Sequence, residues 1–146
     1  MAITKKGKWR YGESQFDIHE EITRYSKANA YVAKHFTDVV CECGNTSFRL
    51  LVDNDEDAAV RLCCRCQKEH PIGDSQEYLE DAELEECACP CKEEEFEITC
   101  GVALYKNSED AKWLYLGCRC IKCGLTAVYA DWKSESGNYQ NFLKTI

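Results

Sequence analysis

Long apolar runs are absent from this 146-residue sequence, and so is the apolar core of a secretory signal. A membrane-spanning helix needs about 20 predominantly apolar residues, and no such stretch occurs. The N-terminus is basic, with Lys5, Lys6 and Lys8, but neither an apolar segment nor a cleavage site follows. A secretory signal requires both. We therefore expect an intracellular, cytoplasmic chain without a membrane span.

Basic residues are almost missing from the middle of the chain. Between Asp74 and Glu97, eleven acidic residues stand against one base, Lys92, in a chain whose formal net charge is −8. This acidic belt (residues 74–97) repels phosphate backbones over about a Debye length, ~8 Å at physiological salt. It argues against binding of duplex nucleic acid and favours a protein partner that is basic at its contact surface. A solvated acidic linker would have the same composition.

Cysteine, in contrast, is abundant, with twelve residues in the chain. Dense cysteine indicates either a secreted disulfide scaffold or metal binding in a reducing compartment. Because no secretory signal is present, we expect reduced thiols that bind metal.

From residue 39 onward the sequence repeats one order of elements: a close cysteine pair, a hairpin, a second cysteine pair, a strand and a short helix. The first pair of each copy is Cys-x-Cys, and a phenylalanine follows it five residues later, Phe48 in one copy and Phe96 in the other. Alternating apolar residues then predict the strands. Self-similarity of this kind indicates two copies of one small unit.

In each copy the hairpin brings two cysteine pairs together, which is the arrangement that tetrahedral zinc requires. We predict two structural Zn²⁺ ions per chain, each held by four cysteines. The predicted ligands are Cys41, Cys43, Cys63 and Cys66 in the first site, and Cys89, Cys91, Cys120 and Cys123 in the second.

Four cysteines and one histidine lie close to these sets in sequence. Cys87 can replace Cys89 or Cys91, because three thiols compete there for two places. His70 is an alternative ligand of the first site. The remaining thiols, Cys64, Cys100 and Cys118, are expected outside both sites.

The order of cysteine turn, hairpin and cysteine turn resembles the zinc-ribbon superfamily, and two such units in series resemble tandem zinc ribbons. The resemblance covers residues 41 to about 132. The chain departs from the family pattern because its first pairs are Cys-x-Cys, where the family usually has Cys-x-x-Cys. The resemblance implies small antiparallel sheets built around structural zinc.

The predicted fold is α+β and rich in β-strand. Ser14 begins a capping-box pattern, and the apolar stripe from Ile18 to Phe36 predicts a helix from about residue 15 to 36. Two tandem three-stranded zinc ribbons follow, each ending in a short helix, the first near residues 74–82 and the second after Asn138. The expected domains are an arm and helix (1–38), a first ribbon (39–84) and a second ribbon (85–146).

No catalytic constellation is recognisable, so we expect a non-enzymatic protein. Two complete Cys₄ sets leave no open coordination position, which a catalytic zinc needs. His19 begins a metalloprotease-like pattern, but its second histidine is missing. The predicted role is a protein–protein interaction module, either accessory to transcription or of an immunity or adaptor type.

Two other functions compete with that prediction. Single-stranded nucleic acid can stack on a hairpin that carries bases and aromatics together, Lys106, Lys112, Trp113 and Tyr115. A rubredoxin-like iron redox carrier is the third candidate, because tetrahedral sulfur sites suit iron as well as zinc. Only residues 120–124 match the Cys-x-x-Cys-Gly turn of such carriers.

Overall fold

The computed structural model describes residues 3–146. Within them, ten strands and two α-helices form. In chain order they are β1 (Thr4–Lys6), β2 (Trp9–Tyr11), α1 (Asp17–Ala28), β3 (His35–Asp38), β4 (Phe48–Asp53), β5 (Ala58–Cys63), β6 (Glu69–Pro71), β7 (Glu85–Glu86), β8 (Phe96–Leu104), β9 (Ala111–Cys120), β10 (Thr126–Lys133) and α2 (Tyr139–Leu143). No helix among the described residues is long and apolar enough to cross a membrane.

The predicted α+β architecture, a helix followed by two tandem ribbons with trailing helices, is wrong. Eight strands form a single antiparallel sheet in the order β10-β9-β8-β4-β5-β6, with β3 on the free edge of β8 and β7 on that of β4. The chain is therefore mostly β, and both copies of the repeat contribute strands to one sheet. The division into three domains, with boundaries after residues 38 and 84, stays a prediction.

A reciprocal exchange of backbone hydrogen bonds joins the two copies. Phe48 of β4 pairs with Phe96 of β8, its counterpart in the repeat. The segment before the first cysteine pair bonds to the second copy, with Val39 N–H donating to the Ile98 carbonyl over 2.9 Å. The segment before the second pair does the same in return, from Cys87 N–H to the Leu50 carbonyl over 2.8 Å. Antiparallel pairing of equivalent residues relates the copies by a local twofold axis.

Helix α1 covers one face of the sheet but is shorter than the predicted helix 15–36. It ends at Ala28 with Asn29 as the C-cap, and Ala30 takes a left-handed conformation with φ of 68°, which few non-glycine residues adopt. Phe36, predicted to lie on the helix, belongs to β3 instead. No side chain caps the helix at its N-cap residue. Asp17 closes the start by accepting hydrogen bonds from the N–H groups of residues 13 and 14.

Two glycines of the sheet allow α1 to pack closely against it. Ile18 and Ile22 are fully buried there. A Cβ atom at Gly117 would lie 2.5 Å from Ile18 Cγ2, and one at Gly101 would lie 2.8 Å from Ile22 Cγ2. The helix therefore sits at a distance that only glycine permits at these positions.

Of the two predicted trailing helices, only the second forms an α-helix. Residues 75–78 form one turn of 3₁₀ helix where a helix near 74–82 was predicted. The C-terminal helix α2 does begin after Asn138, whose side-chain oxygen accepts hydrogen bonds from the N–H groups of Gln140 and Asn141. Its buried Phe142 packs against Gly73 and the second face of the sheet.

Candidate metal centres

The first cluster of four thiols lies where β4 and β5 meet the turns that precede and follow them. The sulfurs of Cys41, Cys43, Cys63 and Cys66 all lie within 4.8 Å of one another. Cys41 Sγ is 3.5 Å from Cys66 Sγ, and Cys43 Sγ is 3.6 Å from Cys63 Sγ. Four sulfurs bound tetrahedrally at about 2.3 Å from one ion would be ~3.8 Å apart. The cluster thus has the size of a tetrahedral metal site.

The second cluster repeats this geometry. The sulfurs of Cys89, Cys91, Cys120 and Cys123 also lie within 4.8 Å of one another. The first thiol again faces the fourth, with Cys89 Sγ 3.5 Å from Cys123 Sγ, and the second faces the third, with Cys91 Sγ 3.6 Å from Cys120 Sγ. The structure therefore brings together, in two groups, the eight cysteines that the sequence predicts as ligands.

Each cysteine pair sits on a tight turn, called a knuckle below, and all four knuckles are closed by a residue of positive φ just after the second cysteine. These residues are Gly44 (90°), Gln67 (64°), Lys92 (78°) and Gly124 (82°). In each knuckle the residue with positive φ donates its N–H to the carbonyl of the first cysteine. The chain is thereby reversed so that both thiols of a pair point to the same side.

The hairpins bring the two knuckles of each site together in the same register. Phe48 pairs with Cys63 across β4 and β5, and Phe96 pairs with Cys120 across β8 and β9. In both sites the first and third cysteines are buried, while the fourth, Cys66 or Cys123, is exposed. Cys43 of the first site is exposed as well, so each centre lies at the sheet end with at least one cysteine open to solvent.

Backbone amides of the knuckles stabilise one thiolate in each site. Burial alone would raise the pKa of Cys63, but the N–H groups of Cys66 and Arg65 and the side-chain amide of Asn45 donate to its sulfur and lower that pKa to about 5. In the second site the backbone N–H of Glu93 is the main cause that lowers the pKa of Cys91, to about 7. Amide donors of this kind favour the deprotonated sulfur that a metal binds.

The sites differ in one buried charge. Arg61 on β5 lies opposite Leu50, and the residue at the equivalent place in the second copy is Cys118, opposite Ile98. Arg61 is buried, and its Nε has no hydrogen-bond partner among the described residues. Burial lowers the pKa of this guanidinium, and the nearby thiols of Cys41 and Cys63 oppose that shift. The first centre therefore has a cation beside it where the second has a neutral thiol.

The alternative ligands lie outside both clusters. His70 directs Nε2 to the Thr145 carbonyl, 2.8 Å away. Cys87 belongs to neither group of four, and burial raises the pKa of its thiol to about 11. Cys100 and Cys118 are fully buried in the core, as their place on the strands predicts. Cys64 lies within the second knuckle, between two ligands but outside the cluster, and burial raises the pKa of its thiol.

Three of the four residues predicted to contact nucleic acid or a partner are engaged within the protein. Tyr115 is fully buried, and its hydroxyl donates to the Tyr31 carbonyl, so its ring is not exposed for the contact that the sequence suggests. Trp113 stacks on Tyr31 and donates its indole N–H to Asp131 over 2.8 Å. Lys112 places its ammonium 4.1 Å from the centre of the Tyr31 ring. Lys106 is exposed in the turn of the β8–β9 hairpin.

Comparison of the chain with protein-family models, with curated proteins and with solved structures finds no match. The two groups of four cysteines are consistent with zinc-binding modules on their geometry alone.

Proposed function

We propose that this chain binds two structural zinc ions, one in each Cys₄ cluster, and that it acts as a non-enzymatic protein-interaction module. The observation that carries the proposal is the matched geometry of the two clusters, whose facing sulfurs are 3.5–3.6 Å apart in both. Four thiolates suit zinc and complete its tetrahedral coordination. A closed site of this kind stabilises the fold and leaves no position for substrate.

The sequences of the knuckles favour zinc over iron. Both metals accept four thiolates, but the rubredoxin-like pattern Cys-x-x-Cys-Gly occurs in one knuckle out of four. In the other Cys-x-x-Cys knuckle, Gln67 occupies the position of positive φ that Gly124 takes in the second site. Together with the hairpin order, these features support sites of the zinc-ribbon type within a larger sheet.

The acidic belt is the surface proposed for a protein partner that is basic at its contact surface, within the cytoplasm. Glu77, Glu80, Asp81, Glu83, Glu85 and Glu86 are all exposed. Tyr78 lies among them with 40% of its surface exposed. Tyrosine is a frequent energetic anchor in protein interfaces, and surrounding charge accelerates encounter with a partner of opposite sign. An exposed aromatic ring inside a charged surface supports this choice.

The proposal is tested by affinity capture from the native host with two forms of the protein. Wild type and a triple variant, Glu83→Lys, Glu85→Lys and Glu86→Lys, serve as baits, followed by association kinetics with the captured partner. The variant should associate at least about ten-fold more slowly while its dissociation rate changes little, because rim charges act mainly on encounter. A reversal of Glu13, Glu20 and Glu69, which are exposed outside the acidic belt, is the matched control. Unchanged association in the belt variant contradicts the proposed surface.

A further inference from the structure

The segment before α1 is a basic arm (residues 3–12) that the two metal centres do not explain. Strands β1 and β2 form a separate two-stranded sheet, with Lys6 opposite Trp9 and Lys5 opposite Arg10. Gly7, with φ of 63°, takes the first position of the two-residue turn between them, as hairpin turns of type II′ require. The arm carries four bases and no acid, in a chain whose net charge is −8.

The arm carries charge that the rest of the protein does not neutralise. Among the described residues Lys5, Lys6 and Lys8 form no ion pair, and all three are exposed. Arg10 differs, because its Nε lies 3.7 Å from the Glu21 carboxylate. The free lysine side chains form a local positive surface whose counter-charge must come from outside the chain.

Aromatic rings alternate with these lysines. Lys8 Nζ lies 4.9 Å from the centre of the Trp9 ring, and Lys6 Nζ lies 5.5 Å from the centre of the Tyr11 ring. Trp9 is 38% exposed, and its indole N–H has no hydrogen bond to a described residue. This ring differs from Trp113, which is already stacked on Tyr31 and hydrogen-bonded to Asp131.

The arm is attached to the body at the fourth knuckle. Gly12 N–H donates to the Gly124 carbonyl over 2.8 Å, and Tyr11 forms a β-bridge with Leu125. Arg119 Nε donates to the Gly12 carbonyl over 2.9 Å. A Cβ atom on Gly124 would lie 2.8 Å from that same carbonyl oxygen, so the glycine is needed for this contact. The arm is therefore held in place at one end.

We propose that the basic arm binds single-stranded nucleic acid, with a base stacked on Trp9 and phosphates contacted by Lys5, Lys6 and Lys8. Lysines interleaved with exposed rings are the pattern by which proteins bind unpaired strands, since the rings stack on bases and the lysines follow the backbone. A duplex hides the faces of its bases and has a higher charge density, which the acidic belt of this chain repels. An unpaired strand therefore fits the arm better than a duplex.

The test is a fluorescence-anisotropy titration of the purified full chain with a labelled oligothymidylate of about 12 nucleotides, at about 0.05 M and 0.2 M salt. Two triple variants are compared, Lys5→Gln, Lys6→Gln, Lys8→Gln in the arm, and Lys27→Gln, Lys34→Gln, Lys144→Gln elsewhere on the exposed surface. Both remove three charges. The arm variant should bind about ten-fold more weakly or worse. The slope of log K against log salt should become less negative by about 2, because each of the three lost phosphate contacts contributes ~0.7.

Stacking is tested separately at Trp9. Trp9→Ala should weaken binding about ten-fold, whereas Trp9→Phe should retain most of it because a ring remains. The strand should quench the indole fluorescence of wild type more than that of Trp9→Phe. All variants should keep the melting temperature and metal content of wild type, since the arm forms its own small sheet.

Four outcomes would overturn the proposal. They are the absence of binding by wild type at the lower salt, equal affinity of the two triple variants, duplex binding as tight as that of the single strand, and full retention of affinity in Trp9→Ala. Polyglutamate that competes as well as the oligonucleotide would assign the arm to an acidic protein instead.

Discussion

At the scale of single residues, the exposed fourth cysteine of each cluster allows metal binding to be tested with little change in packing. Cys66 and Cys123 are open to solvent, so a serine in their place disturbs little packing but removes a sulfur ligand. We expect Cys66→Ser and Cys123→Ser each to lower the zinc content by one ion per chain, as measured by native mass spectrometry. Cys64→Ser is the matched control, because Cys64 lies next to a ligand and outside the cluster.

The same experiment shows whether Cys87 is a metal ligand. Cys87→Ser should keep both ions, because the structure places Cys89 and Cys91, not Cys87, in the group of four. A loss of zinc in Cys87→Ser, with both ions retained in Cys89→Ser, would contradict the assignment.

The ligands are predictable from the sequence because their pattern is local. A short cysteine pair on a turn, followed by a strand at a fixed offset, is visible in the printed sequence at Cys41–Phe48 and at Cys89–Phe96. The burial of Tyr115, which shares its strand face with Trp113, is not predictable in this way. The sequence does not show that α1 covers this face and buries Tyr115 completely.

At the scale of elements, the contact between α1 and the sheet depends on Gly117. Gly117→Ala should lower the free energy of unfolding by about 1–3 kcal/mol, a typical cost of overpacking, because the new methyl group would lie 2.5 Å from Ile18 Cγ2. Urea denaturation measures the change. Ile18→Ala removes the facing Cγ2 methyl, so the loss in the double variant should be smaller than the sum of the two single losses, whereas a simple sum would contradict the predicted contact.

The shape of α1 and the pairing of β3 and β7 show what local patterns leave undetermined. The apolar stripe continued through Val32 to Phe36, yet Ala30 turns left-handed after Asn29 and the chain enters a strand. The hydrogen bonds from Val39 to Ile98 and from Cys87 to Leu50 join residues more than thirty positions apart. Two separate ribbons and one exchanged sheet have the same local sequence pattern, so only the structure distinguishes them.

At the scale of the whole molecule, the exchanged pairing links the two metal centres. We propose that metal binding at the first site orders the two knuckles that flank the β4–β5 hairpin, and β4 bonds to the second copy at Phe96 and Cys87. Binding of the first ion therefore lowers the free-energy cost of ordering the second site, which is positive cooperativity. We expect the one-ion species to stay scarce when the metal-free protein is titrated with zinc. At half-saturation its fraction should lie well below the value of roughly one half that two independent, equal sites give.

Native mass spectrometry of the titration resolves the three species. A one-ion species at or above the statistical fraction would contradict the coupling. It would also show that each copy folds around its metal by itself, as the predicted domains 39–84 and 85–146 require.

We propose that two structural zinc ions complete this fold, and elemental analysis of the protein purified without added metal counts them. Eight thiolates in two tetrahedral clusters have a strong preference for zinc over harder cations. We expect about two zinc ions per chain, with little iron and no colour, and loss of native circular dichroism when a chelator removes the metal. A single ion per chain, or a red protein that contains iron, would contradict it.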